Sequence, residues 1–121
     1  MENKVYDLEE RTRLFALNVR RFIKGLPRTI GNIEDAKQLV RSSGSVGANY
    51  IEANESLGKK DFLLRIKICR KEAKESTYWL SLLDLGGNEV IIAECNKLQQ
   101  ESRELMKIFG AILTKSTVKS E

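Results

Sequence analysis

The chain has no histidine, one proline and two cysteines among its 121 residues. Without histidine it lacks the usual general base, the usual activator of a nucleophile and the commonest metal ligand. A di-iron bundle, which needs a Glu-x-x-His motif on two helices, is excluded on the same ground. Two cysteines, Cys69 and Cys95, cannot by themselves make a structural zinc site. One proline and few glycines outside candidate turns argue against a strand-and-turn fold and for long helices. The longest uncharged run, Ser42 to Ile51, is too short and too polar to span a bilayer. The first residues, MENKVYDLEERTRLF, carry no apolar signal core. The expectation is therefore a cytoplasmic protein with no membrane partner.

What is present is ordinary in amount and ordered in pattern. Hydrophobic residues make up 41% and charged residues 31%, which suits a single globular domain over residues 1–121. The net charge of +4 permits anionic partners without requiring them.

Four amphipathic segments follow one another. The first, over about residues 6–25, repeats Leu8, Phe15, Val19, Phe22, Ile23 and Leu26 at helical spacing, with Arg13, Arg20 and Lys24 on the far side. Gly25-Leu26-Pro27 stops it. The second, over about 31–55 with Thr29 or Asn32 as N-cap, places Ile33, Ala36, Val40, Ser43, Gly47, Tyr50, Ile51 and Asn54 on one face. Its small-residue stretch Ser42 to Asn49 disfavours a helix by propensity, yet the period runs through it, so a close helix neighbour is expected there. A phosphate-binding loop is ruled out, because no Gly-Lys-Ser/Thr follows and no strand precedes.

After Ser56-Leu57-Gly58, a third helix over about 59–85 has three sides. Phe62, Ile66, Cys69, Ala73, Ser76 and Leu80 form the core side. Leu64, Ile68, Trp79 and Leu82 form a second apolar stripe. Lys60, Lys67, Lys71, Lys74 and Tyr78 form a basic side, with Arg70 at its edge. One core needs one apolar side, so the second stripe predicts a subunit interface, the alternative being a central helix buried on both sides. A fourth helix over about 88–114 starts at the N-cap Asn88 beyond Gly86-Gly87, and Ile91, Cys95, Leu98, Ser102, Leu105, Met106, Phe109, Ile112 and Leu113 make its core face. Residues 116–121 read as a frayed tail.

Short turns between long amphipathic helices give an all-α, antiparallel up-down-up-down four-helix bundle that assembles into a homo-oligomer. In such a hairpin the two cysteines would be offset by roughly 13 Å along the axis, so both read as reduced packing residues. The carboxylates Glu52, Glu55, Asp61, Glu72 and Glu75 read as salt-bridge and helix-end charges. No catalytic residue, cofactor site or metal site is expected. Lys60, Lys67, Lys71 and Lys74 are the candidate phosphate contacts, and Arg13, Arg20 and Lys24 are second choices.

Several segments together carry a family resemblance: Gln38-Leu39-Val40-Arg41, Ser45-Val46-Gly47-Ala48-Asn49, Glu52-Ala53, Lys60-Asp61-Phe62, the stretch from Lys71-Glu72-Ala73 to Trp79-Leu80, and the Phe22 to Pro27 segment. In this order they resemble the four-helix-bundle proteins encoded in intervening sequences of bacterial 23S rRNA genes, the S23-like proteins. The accessory protein of diversity-generating retroelements is similar in architecture and basic character. The resemblance implies a homopentamer and RNA or DNA binding. The alternative is a scaffold for a protein partner such as a reverse transcriptase. It carries over no catalytic residue.

Overall fold

A computed structural model describes the backbone of residues 7–120 and the side chains of residues 7–116. It consists of four α-helices, α1 (Leu8–Ile23), α2 (Ile30–Asn54), α3 (Lys59–Leu82) and α4 (Glu89–Ser120), with no strand among the described residues. Three of the four helices begin where a side chain supplies a partner for the first free N–H groups, and α3 starts at Gly58 without one. Asp7 accepts from the Glu10 amide at 3.1 Å, and Thr29 accepts from the Asn32 amide at 3.0 Å. Asn88 accepts from the amides of Val90 and Ile91 at 2.9 and 3.1 Å. Gly86 and Gly87, at φ +67° and +70°, make the left-handed turn that precedes α4.

The four helices pack as a closed ring in which α1 and α3 each lie against α2 and α4. The pairings run in opposite residue order. Ser42, Val46 and Asn49 of α2 meet Ser76, Cys69 and Arg65 of α3. Leu80 and Thr77 of α3 meet Cys95 and Ser102 of α4. The core is the single cluster these helices enclose, built on Phe15, Val19, Leu39, Val46, Ile66, Leu80, Leu105 and Phe109. No helix of the described residues is long and apolar enough to cross a membrane.

Two helix ends and one buried face differ from the sequence reading. The expected start of α1 at Tyr6 lies outside the described residues. α3 ends at Leu82 rather than Leu85, because the Asp84 amide donates to Asn32 Oδ1 at 2.9 Å instead of extending the helix ladder. α4 runs on past the expected end at Thr114 to Ser120, and Glu121 lies outside the described residues. The buried face of α2 is also turned by about one residue. Asn32, Leu39, Ser42, Ser43, Val46 and Ala53 are buried, whereas Ile33 and Ile51 are 38% and 50% exposed and Asn54 is exposed. α2 touches two helices on different sides, and the expected face merged the side toward α1 with the core side. Gly47 belongs to the α1 side, where it lies against Thr12.

Candidate nucleic-acid interface

The buried side of α3 is Ile66, Cys69, Ala73, Ser76 and Leu80. Lys60, Lys67, Lys71 and Lys74 recur three, four and seven positions apart on the opposite side, and all four are exposed. Tyr78 stands in the same strip with its ring edge-on to Trp79, at a centroid distance of 5.0 Å. Among the described residues the strip has one ion pair, Lys71 Nζ to Glu72 Oε2 at 3.6 Å.

The second-choice cations lie elsewhere. Arg13 pairs with Glu10 at 3.3 Å within α1. Arg20 donates to the Ala16 carbonyl at 3.1 Å and its guanidinium lies over Gly44. Both border a solvent-open groove of about 650 Å³ between α1 and α2, floored by Thr12, Leu17, Gly47 and Ile51. Lys24 is exposed just past the end of α1. Because α1 packs on α2 and α4 rather than on α3, Arg13, Arg20 and Lys24 do not extend the α3 strip within one chain.

The second apolar stripe divides in the structure. Leu64 and Leu82 are 54% and 47% exposed. Ile68 and Trp79 are half-buried, and Trp79 packs against its own chain's core. The apolar surface left open is therefore smaller than four free side chains would make.

The remaining chemistry is structural. Cys69 and Cys95 are free and buried. Burial pushes the Cys69 thiol up to about 12 and also raises that of Cys95, so both stay protonated near neutral pH. Among the described residues no three His, Cys, Asp or Glu side chains gather as a metal site would require. The most connected polar side chain is Asn32, which the sequence offered only as a helix cap. It is buried and donates to the carbonyls of Pro27 and Asp84 at 2.9 and 2.8 Å, tying the α1–α2 turn to the α3–α4 turn. Its position beside Thr29, a competent cap already, was the available hint.

The sequence profile of the 23S rRNA-intervening sequence protein family matches residues 4–111. Among solved structures, the chain is similar to a crystal structure from Bacteroides thetaiotaomicron, described as a protein with unknown function from the S23 ribosomal protein family. The TM-score is 0.75 and the identity 28%, over 87% of this chain and 96% of that one. No curated protein matches.

Proposed function

The chain belongs to the 23S rRNA-intervening sequence protein family, and from that premise we propose that it is a non-enzymatic, antiparallel up-down-up-down bundle that self-associates in the cytoplasm and binds RNA or DNA weakly through basic faces. One observation carries this reading. Lys60, Lys67, Lys71 and Lys74 form an exposed strip on the side of α3 away from the core, with one ion pair among the described residues. Ammonium groups in such a strip contact phosphates by charge and reach alone, and self-association multiplies a weak single contact. The exposed Leu64 and Leu82 support self-association, and a pentamer is the assembly the resemblance implies.

The test is fluorescence anisotropy of labelled structured RNA and duplex DNA at several salt concentrations. Binding that weakens steeply with salt is expected, and replacing all four lysines by Glu abolishes it while the assembly persists. No binding of the wild-type protein at low salt overturns the reading. The exposed Leu64 and Leu82 equally suit a second reading, a scaffold for another protein, which predicts capture of a protein partner by an assembly that ignores nucleic acid.

A further inference from the structure

We propose that the seam between α3 and α4 is a phosphate track for the backbone of RNA or DNA, with Lys67, Arg70 and Lys74 on one bank and Arg103 and Lys107 on the other. This rests on the nucleic-acid reading above and replaces its single-helix strip with a two-helix site.

The register of the two helices brings these cations together. Leu80 and Thr77 of α3 are fastened to Cys95 and Ser102 of α4, and a Cβ on Gly110 would sit 4.0 Å from Arg70 Cδ. Between those fixed points Lys74 lies one turn from Thr77 along α3, while Arg103 and Lys107 lie between Ser102 and Gly110 along α4. At about 100° per residue, Lys67, Arg70 and Lys74 share the side of α3 that carries Thr77, and Arg103 and Lys107 share the side of α4 that carries Gly110. All five cations are exposed, and none is in an ion pair among the described residues.

The seam is also free of carboxylates. The outward positions beside it are Thr77 and Ser81 on α3 and Gln99 and Thr114 on α4. The acids of α3, Asp61, Glu72 and Glu75, fall on the side where Arg65 reaches Asn49 of α2. On α4, Glu101 and Glu104 are turned toward α1, where Arg11 holds them at 2.7 and 2.8 Å. The bundle thus turns most of its acids toward the α1 and α2 sides and leaves five cations without an ion pair along one groove among the described residues, with Glu104 near enough to Lys107 to feel its charge.

Packed helix axes lie about 8–10 Å apart, so the two banks flank a strip of that width. Lys67 to Lys74 spans roughly 10 Å of helix, and continuation to Lys60 extends the bank to roughly 21 Å. With one phosphate per about 3.4 Å of duplex axis on each strand, the bank reaches about three to six phosphates. Contacts of this kind hold the backbone without reading sequence. Trp79 lies toward the α2 side of α3, away from the track, whereas the exposed Leu64 borders the outer edge of the bank beside Lys67 and Lys71.

The test uses the full chain and short RNA and DNA duplexes of about one helical turn. Five cations predict a slope of log K against log salt of about −4.5. Arg103→Gln/Lys107→Gln is expected to reduce the slope by about two, and Arg103→Glu/Lys107→Glu to lower affinity at least tenfold, with unchanged circular dichroism. Arg13→Glu/Arg20→Glu, on the other side of the bundle, is expected to change affinity less than twofold. Equal affinities for the RNA and DNA duplexes fit a track that senses phosphates alone. A wild-type protein that binds, loses binding on reversal in α1 and keeps it on reversal in α4 overturns the track while leaving the nucleic-acid reading intact. A wild-type protein that binds neither duplex overturns both.

Discussion

Single residues set how closely the helices approach. A Cβ on Gly47 would come within 2.9 Å of Thr12 Oγ1 and 3.3 Å of Thr12 Cβ. The Thr12 hydroxyl cannot swing away freely, because it donates to the carbonyls of Leu8 and Glu9 at 2.7 and 3.1 Å. Gly47→Ala gains about 1 kcal/mol of helix propensity and loses about 1–3 kcal/mol to overpacking, so it is expected to lower Tm. At Gly44 a Cβ would meet the mobile end of Arg20 at 3.4 Å, and Gly44→Ala is expected to raise Tm by the propensity gain. Melting both variants by circular dichroism checks the contrast. Asn32→Ala leaves the Asp84 amide and the Pro27 and Asp84 carbonyls without their partner, at a cost of about 2 kcal/mol in urea unfolding. For the two buried thiols, iodoacetamide at neutral pH is expected to label neither in the folded protein and both in denaturant, as read by mass spectrometry.

Whole elements depend on which neighbours cover them. The seam between α1 and α4 is clasped by Arg11, whose guanidinium donates to Glu101 at 2.7 and 2.8 Å and to Glu104 at 2.8 Å. Those bonds raise the Arg11 pKa and hold the Glu104 carboxyl below its ordinary value of 4.5. A carboxyl depressed on folding contributes stability above its unfolded pKa and loses it as pH falls through the folded value. Arg11→Met is therefore expected to be less stable than wild type near neutral pH, with the gap closing as pH drops below about 4.5. Chemical unfolding of both proteins across that range checks the sign. α2 illustrates the cost of reading a helix alone. Its 3.6-residue period is plain, but a helix touching two neighbours has two inner sides, and Ile33 and Ile51 stay 38% and 50% exposed.

At the scale of the molecule, Leu64 and Leu82 are the open part of the α3 stripe, and Trp79 is partly spent on the chain's own core. Leu64→Asp is therefore a cleaner probe of self-association than Trp79→Asp, which also disturbs the bundle. Both are expected to give smaller particles in light scattering, but only Trp79→Asp also lowers Tm. An unchanged mass for Leu64→Asp would mean that self-association does not use this stripe.

The sequence by itself determined the all-α class, the number of helices, the turns at Gly25–Pro27, Ser56–Gly58 and Gly86–Gly87, and nearly every buried residue of α1, α3 and α4. These follow from periodicity, caps and breakers, which act within a few residues along the chain. Only the tertiary structure decided which side of α2 is covered, where α3 stops, and which residues of α3 and α4 face each other. Asn32 reaches across to Asp84, and Ser102 and Cys95 of α4 come against Thr77 and Leu80 of α3. Such neighbours are far apart in sequence, so no local pattern encodes them.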